Sequence, residues 1–401
     1  MKMRAEQGVA GYAPQVARPQ NADVRIMKTL LKRLMSEFMA RPEAIWETTV
    51  ARCKYLPVIA LVLTLLVGGF STIRALWYLQ SFAASPANSD LFSTYHGETP
   101  LFFLLAHALG ATTLPRYLVF CGCIVIVVYS LVYNYANRRK SPPAMLCLLL
   151  FASHPIAYIL QTWFGMVDGL TVASTAVLLF SRSTVAMAPA SLVLMLNHTS
   201  APLIALPLLI LRILSGDSVV SLRHFCVVAI SLLIGKILLI SFLGVDIESA
   251  SRLGFIFHVP LSHWVRINIT HLPLIVYSMF FALWIPIIFM VVLFFNDNRR
   301  FYGCYLLFLA GFYCVTLVTL DTTRVYAMLS WGPTLCCLMH TWDKTAERTI
   351  RNTVFRACVV ASAFLGWCLP RLFVYDGKVY APGLDQPIKL IWDILQGSFS
   401  L

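Results

Sequence analysis

Long apolar runs separated by short polar segments dominate the chain from Leu56 onward. Many of them approach the roughly 20 apolar residues that one helix needs to cross a bilayer. The pattern predicts about eleven membrane helices, with a shorter helix from Thr99 to Gly110 that dips into the outer face. The predicted spans are 57–80, 117–136, 143–161, 169–181, 184–197, 201–215, 224–244, 272–295, 301–320, 325–341 and 357–375.

Three consecutive spans, at 169–181, 184–197 and 201–215, are shorter than a usual crossing. We expect them to pack inside the bundle or to line a cavity, where bilayer thickness does not set helix length. The predicted fold class is therefore all-α, as a polytopic helical bundle embedded in a membrane.

Composition supports this fold class. Of the 401 residues, 59% are hydrophobic and only 12% are charged, and the mean hydropathy is +0.76. These values exclude a free-standing cytosolic enzyme and an extracellular disulfide scaffold. The 11 cysteines lie in apolar runs or beside basic ends, without the spacing typical of a zinc site.

The formal net charge of +13 does not indicate a nucleic-acid partner. Lysine and arginine concentrate in the first 55 residues and in alternate short loops, rather than on one face among aromatic residues. Because cytoplasmic loops gather these residues, the pattern places the N-terminus inside and the C-terminal tail outside. It predicts a cytoplasmic leader at 1–55, a membrane module at 56–375 and an outer tail at 376–401, in the bacterial inner membrane.

The leader also carries a helical pattern. Ile26, Leu30, Leu34 and Phe38 recur at helical spacing opposite basic residues. This predicts an amphipathic helix on the membrane surface, with a disordered leader or a partner-binding helix as alternatives.

Acidic residues gather at the predicted outer face. An ionised side chain near hydrocarbon is costly unless it pairs or faces water, so such residues are functional candidates. The first outer loop holds Asp90, Tyr95, His96 and Glu98 within a few positions. A carboxylate at the mouth of a cavity can accept a proton as a general base. The alternative is that Asp90 and Glu98 cap neighbouring helices.

Two further outer turns join predicted helices. In the first, Trp163 precedes Asp168, which begins a helix and either caps it or binds a sugar together with the indole. In the second, His198 lies between two short helices, where it either lines a pocket or only makes structural hydrogen bonds.

The segment Asp321-Thr322-Thr323-Arg324 directly follows an apolar run. Residues three apart at a helix start face each other, so Asp321 and Arg324 are expected to pair. A paired arginine can still present its planar fork to a phosphate, which is the functional interpretation. The alternative is an ion pair that only fixes packing. Arg74, Arg252, His258 and Arg266 are weaker candidates for the same phosphate.

Three stretches carry a resemblance to a known family: HGETPLFFLLAHALG, SHPIAYILQTWFGMVDG and LNHTSAPLIALPLLILR. In this order they resemble the GT-C superfamily of membrane glycosyltransferases, in particular its mannosyltransferase-like members, over roughly residues 56–340. The chain departs from the family pattern at several positions. Asn88 stands where a paired acid would precede Asp90, His154 replaces an asparagine, Met166 replaces a glutamine, and His198-Thr199 replaces a lysine-containing pair.

The resemblance implies a GT-C-like fold and an inverting transfer of one sugar from a polyprenyl-phosphate donor to a glycan, lipid or protein acceptor. It makes Asp90 the base, with Glu98 beside it, and assigns Arg324, Arg252 and Arg74 to the donor phosphate. The sugar and acceptor would contact His96, Tyr95, Trp163, Asp168, His198 and Asp321. A divalent metal is left open, because no pair of acids supports it. Membrane lipids and a donor synthase or flippase are the expected partners.

Two other classes stay open. An O-antigen-type polymerase or ligase would use the outer loop 245–271, which carries Arg252, His258, His263 and Arg266. A polytopic transporter or flippase is the other, although the chain shows no convincing internal repeat and only Lys236 lies clearly mid-span.

Overall fold

The computed structural model describes residues 76–87, 91, 99–139, 144–217, 220–243, 259–345 and 349–380. The predicted leader, most of the span 57–80 and the tail beyond Tyr380 lie outside the described residues. Within them the chain is mostly helical, which confirms the helical part of the predicted fold class.

The described residues form fifteen α-helices and two short strands. The helices are α1 (Leu76–Ala84), α2 (Leu101–Ala108), α3 (Leu114–Arg139), α4 (Ala144–Ser153), α5 (Pro155–Thr162), α6 (Asp168–Phe180), α7 (Thr184–Asn197), α8 (Ala201–Leu214), α9 (Leu222–Leu243), α10 (Leu261–Thr270), α11 (Leu272–Phe280), α12 (Trp284–Phe294), α13 (Arg299–Thr316), α14 (Thr322–Lys344) and α15 (Ile350–Cys368). A short 3₁₀ turn, Phe281–Leu283, joins α11 to α12.

Three helical segments of the described chain are long and apolar enough to cross a membrane. They are Leu114–Asn134 in α3, Leu222–Ser241 in α9 and Leu272–Phe294, which comprises α11, the 3₁₀ turn and α12. Only 33%, 28% and 56% of their apolar windows are buried in the protein. Large apolar surfaces left exposed in this way are typical of contact with lipid.

The predicted count of about eleven crossings is not supported, and neither is a GT-C arrangement. Helices α6, α7 and α8 have 13, 14 and 14 residues, so each is about 20 Å long against a hydrocarbon core of about 30 Å. Helix α14 is longer, but the segment from Tyr326 to Met339 is buried throughout. The apolar run predicted as span 325–341 therefore reflects the core of the protein rather than contact with lipid.

Helices α6, α8 and α14 run parallel. The end of the intervening helix α7 binds the start of α6, because the Asn197 amide donates to the Val167 carbonyl at 2.8 Å. At the other end, Arg212 near the end of α8 donates to the carbonyls of Leu178 and Ser181 at 2.6 and 2.7 Å. Arg324 at the start of α14 bonds Asp168 at the start of α6. Three helix starts therefore point toward one end of the bundle.

The last helix ends earlier than the sequence predicted. The span 357–375 was expected to be helical throughout, but α15 ends at Cys368 and the chain then forms a hairpin of β1 (Phe373–Tyr375) and β2 (Lys378–Tyr380). Phe373 pairs with Tyr380. Asp376 and Gly377 both have positive φ, 48° and 66°, which is the backbone of a two-residue hairpin turn. The tail predicted from Asp376 therefore starts inside this hairpin.

Candidate active site

Four side chains meet where α6 and α14 begin, and we call them the Arg324 cluster: Arg324, Asp168, Asp321 and Trp163. Arg324 donates from Nε and Nη2 to the two carboxylate oxygens of Asp168, at 2.7 and 3.0 Å. Its Nη1 donates to Asp321 Oδ2 at 2.9 Å. Its guanidinium lies over the indole of Trp163, with Cζ 5.0 Å from the ring centroid. The arginine is thus bound on three sides.

The Arg324 cluster is largely shielded from solvent. The side chains of Asp168, Arg324 and Asp321 are 1%, 12% and 17% exposed. Burial alone would lower the pKa of the Arg324 guanidinium, but Asp168 and Asp321 raise that pKa above its ordinary value. With both aspartates ionised, the two carboxylates and one guanidinium carry a net charge of −1. The cluster as a whole therefore favours a cation or a hydroxyl donor over a phosphate.

The turn between α5 and α6 positions Trp163 and Asp168. Gly165 has a φ of +102°, and a Cβ there would collide with Leu76, so glycine is required at this position. The Tyr117 hydroxyl donates to the Gly165 carbonyl at 2.7 Å. Gly169 lets α6 approach α3, because a Cβ would lie 2.7 Å from Ile124. The turn is therefore held in one conformation by packing from α1 and α3.

The partial charges of the backbone also favour acids at this end. Helix starts carry partial positive charge, which stabilises nearby carboxylates. Asp168 is the first residue of α6, and Asp321 immediately precedes α14. Neither carboxylate caps its own helix through a side-chain hydrogen bond. Both are instead directed to Arg324.

An aromatic wall stands beside the Arg324 cluster. The hairpin strand β1 brings Phe373 and Tyr375 to ring-centroid distances of 6.1 and 5.6 Å from Trp163. The Val374 amide donates to Thr323 Oγ1 at 3.0 Å, which fixes β1 to the start of α14. The indole Nε1 of Trp163 is buried and has no hydrogen-bond partner. A donor next to aromatic rings and carboxylates is suited to a ligand with hydroxyl groups.

Four predicted site residues therefore come together: Trp163, Asp168, Asp321 and Arg324. The structure contains the predicted pair of Asp321 with Arg324 and adds Asp168 to it. The alternative in which Asp168 caps α6 is wrong, because Val167 occupies the cap position and the Asp168 carboxylate bonds Arg324.

His198 lies at the junction of α7 and α8. It ends α7 as a buried residue, and its Nδ1 accepts a hydrogen bond from the Ser200 amide at 3.1 Å. This local bond shapes the turn into α8, as the structural interpretation of His198 requires.

The other predicted site residues lie outside the described residues: Arg74, Asp90, Tyr95, His96, Glu98 and Arg252. Their roles stay predictions. Leu91, which follows Asp90 in the sequence, is fully buried in an apolar cluster that also contains Met166 and Val167. Leu91 therefore packs in the same cluster as the turn that precedes Asp168.

Sequence reasoning missed several residues of this end. Phe373 and Tyr375 were assigned to a membrane span, although Asp376-Gly377 between FVY and KVY is a strong hairpin signal. Arg371 was not singled out, although a basic residue at the face predicted to be outside departs from the charge rule.

A second polar region lies at the far ends of α6, α8 and α14. It is a cleft of about 280 Å³, with Arg182, Arg212, Asp217, His340, Asp343 and Lys344 among its lining residues. Arg212 is buried and donates to Asp217 at 2.9 Å. Basic side chains at helix ends complement the negative end of the helix dipole, so this charge has a structural explanation.

The described residues contain no group of three or more histidine, cysteine, aspartate or glutamate side chains arranged to hold a metal ion. Comparison of the chain with models of protein families, with curated proteins and with solved structures gave no match.

Proposed function

We propose that this chain is an integral-membrane glycosyltransferase that moves a single sugar from a polyprenyl-phosphate carrier to a glycan, lipid or protein acceptor. The observation that carries the proposal is the Arg324 cluster itself. It is a buried group of two carboxylates and one guanidinium, placed at the starts of two helices and bordered by aromatic rings. Ion clusters in an apolar bundle are costly to bury, and in membrane proteins they mark functional sites.

The contacts within the Arg324 cluster suggest which aspartate is reactive. Asp168 receives two hydrogen bonds from one guanidinium and is almost fully buried, so it serves as the anchor of Arg324. Asp321 is the more exposed carboxylate and receives a single bond from Arg324. It is therefore better placed to accept a hydrogen bond from a sugar or acceptor hydroxyl.

The net charge of −1 changes the role proposed for Arg324. A phosphate approaching this guanidinium would meet two carboxylates that already accept from three of its five N–H groups. We therefore assign Arg324 to orienting Asp321 and to supporting Trp163, rather than to the donor phosphate. Asp90 remains the proposed base that takes the proton of the acceptor hydroxyl as it attacks the anomeric carbon, with inversion of configuration.

A transfer assay with purified full-length protein tests the proposal. The donor is a polyprenyl-phosphate sugar, and mass spectrometry of lipid-linked and surface glycans with and without the protein names the sugar to use. Asp90→Asn is expected to lose about a hundredfold or more in transfer rate, as for loss of a general base. Asp321→Asn should lose about tenfold, whereas Asp297→Asn, in the exposed pair with Arg351, should retain activity.

Two results would count against the proposal. Glycans unchanged by deletion of the protein would reject glycosyl transfer. Full activity of a folded Asp90→Asn variant would reject the base and leave the remaining assignments to be tested by Asp321→Asn.

A transporter is the second candidate, and the cleft at the far end of α14 is the observation that favours it. A transporter needs polar regions on both sides of the membrane, and α14 has one at each of its ends. The packing between them is closed in this structure, since a Cβ at Gly332 would lie 3.2 Å from Thr175 and 3.3 Å from Leu208. Substrate counterflow into liposomes without donor turnover would support transport over transfer.

A further inference from the structure

Arg371 is a buried arginine for which no carboxylate of the described residues provides a counterion. It follows α15 and precedes the hairpin, and it is 8% exposed. Its Nε donates to the Gly366 carbonyl at 3.3 Å. Its Nη1 and Nη2 atoms are buried and have no hydrogen-bond partner. Four N–H donors are therefore left without an acceptor on this side chain.

The other two buried arginines of the described chain differ from Arg371. Arg212 bonds Asp217 and Arg324 bonds Asp168 and Asp321, whereas no carboxylate of the described residues forms an ion pair with Arg371. Burial of a charge without a partner carries a desolvation penalty that no attraction offsets. A bound anion would remove this cost.

Two tyrosines fix the backbone around Arg371. The Tyr158 hydroxyl donates to the Arg371 carbonyl at 3.2 Å, and the Tyr277 hydroxyl donates to the Pro370 carbonyl at 2.7 Å. Burial lowers the pKa of Arg371, and the phenols of Tyr129, Tyr158 and Tyr277 act against that change. The arginine thus lies among hydroxyl groups and not among carboxylates.

Two residues near Tyr158 in the sequence carry further buried polar atoms without a hydrogen-bond partner. His154, the N-cap of α5, and Gln161 lie four positions before and three positions after Tyr158, so each is about one helical turn from it on the same face. The His154 Nε2 and both amide atoms of Gln161 are buried and have no hydrogen-bond partner. Native proteins leave few such groups, and water or ligand usually satisfies them.

Exposed apolar side chains lie on α11, which carries Tyr277, and on α15, which ends just before Arg371. Leu272, Leu274 and Val276 on α11 are exposed, as are Phe364 and Leu365 on α15. Tyr277 on α11 bonds the Pro370 carbonyl, and α11 belongs to one of the three described segments long enough to span a membrane. A ligand that reaches Arg371 between them would have an apolar tail in the bilayer.

We propose that Arg371 binds the phosphate of a membrane lipid, whose chain lies along the exposed apolar faces of α11 and α15. The planar guanidinium fork matches two phosphate oxygens. The choice of a polyprenyl carrier rests on the proposed function, whereas the anion site itself does not. Arg371, and not the doubly neutralised Arg324, then supplies the positive charge next to the departing phosphate.

Equilibrium binding to the purified full chain in detergent tests the site. The probes are polyprenyl phosphate, polyprenol of the same length and inorganic phosphate. Arg371→Met should weaken polyprenyl phosphate binding about ten- to a hundredfold, and Arg371→Lys should fall between this variant and the wild type. Lys378→Met is the matched control, because Lys378 is an exposed cation of the adjoining hairpin, and it should bind within about twofold of wild type.

Thermal unfolding without lipid provides a second readout. If Arg371 serves an anion, Arg371→Met should unfold at the same or a higher temperature than wild type, because an unpaired buried charge has been removed. A purely structural arginine would give a lower unfolding temperature in Arg371→Met together with unchanged lipid binding in Arg371→Lys. That pair of results would overturn the proposal.

Three binding results would also overturn it: equal affinity of Arg371→Met and wild type, equal affinity for polyprenol and polyprenyl phosphate, or competition by inorganic phosphate as strong as that by the lipid. Failure of the proposed function looks different. Binding of polyprenyl phosphate that depends on Arg371, in a protein that transfers no sugar, would uphold this site and reject glycosyl transfer. If Arg371→Met bound polyprenyl phosphate as tightly as wild type and transferred sugar normally, this site would be rejected and glycosyl transfer upheld.

Discussion

At the scale of single residues, the two buried arginines of this end have opposite surroundings. Arg324 forms ion pairs with two carboxylates, whereas no carboxylate of the described residues forms an ion pair with Arg371. The spacing of Asp321 and Arg324 was enough to predict their pairing, because residues three apart at a helix start are neighbours. The contribution of Asp168 was not predictable from spacing, since it lies 156 positions before Arg324 and meets it only through tertiary packing.

The bidentate bond of Asp168 predicts a large loss of stability when it is broken. Asp168→Asn leaves Arg324 with one carboxylate in a buried setting, and we expect the free energy of unfolding to fall by about 3 kcal/mol. Asp321→Asn should cost about 1 kcal/mol, because Asp321 is more exposed than Asp168 and accepts one bond from Arg324 where Asp168 accepts two. Chemical denaturation of the purified protein in detergent measures both.

The exposed pair of Arg351 with Asp297 is the control for this comparison. Its side chains are 44% and 47% exposed, so Asp297→Asn should change stability by no more than about 1 kcal/mol. Equal losses in Asp168→Asn and Asp297→Asn would show that the Arg324 cluster is not an energetically coupled unit.

At the scale of elements, hydropathy predicted most of the described helices but missed the hairpin. Hydropathy joined Phe373–Tyr375 to the preceding apolar run, because a sliding hydrophobic window does not distinguish a short strand from the end of a helix. The turn residues Asp376 and Gly377 carried the missing signal. Helix α10 was missed for a related reason, since its residues are too mixed in polarity to resemble a membrane span.

The hairpin turn predicts a specific sensitivity at Gly377. Its φ is +66°, and a Cβ there would lie 3.0 Å from Ile267 Cβ. Gly377→Ala should therefore lower stability by about 1–2 kcal/mol and weaken the hold of β1 on Thr323. Hydrogen exchange at the Val374 amide, measured by mass spectrometry, should become faster.

Gly303→Ala provides the matched substitution. Gly303 lies within α13, and a Cβ there would meet nothing within 4 Å. Alanine should raise stability by about 0.5–1 kcal/mol through helix propensity. Unchanged exchange at Val374 in Gly377→Ala would contradict the role of this turn in positioning β1.

At the scale of the whole molecule, hydropathy predicted more membrane-spanning helices than the described structure supports. A window average responds equally to side chains that face lipid and to side chains that face the interior of a protein. Helix α14 shows the difference, because Trp331 and its neighbours are buried on every side. Helices α6, α7 and α8 are too short to span a bilayer, and the sequence had already indicated this.

The predicted orientation places the Arg324 cluster outside the cytoplasm and the cleft at Lys344 inside. Replacement of all 11 cysteines and introduction of Thr270→Cys or Ser183→Cys gives one label position near each end. A membrane-impermeant maleimide should label Thr270→Cys in intact cells and Ser183→Cys only after permeabilisation. Labelling of both positions from the same side would reject the orientation.

Three packed helices share one further property, an interior proline: Pro189 in α7, Pro207 in α8 and Pro333 in α14. Each removes one backbone N–H and leaves the carbonyl of the preceding turn without its usual donor. Near the middle of these three helices, the backbone therefore lacks hydrogen bonds that the rest of each helix can form. We expect any bending of these helices to occur at the prolines, so that the two polar ends would move relative to each other while each end keeps its shape.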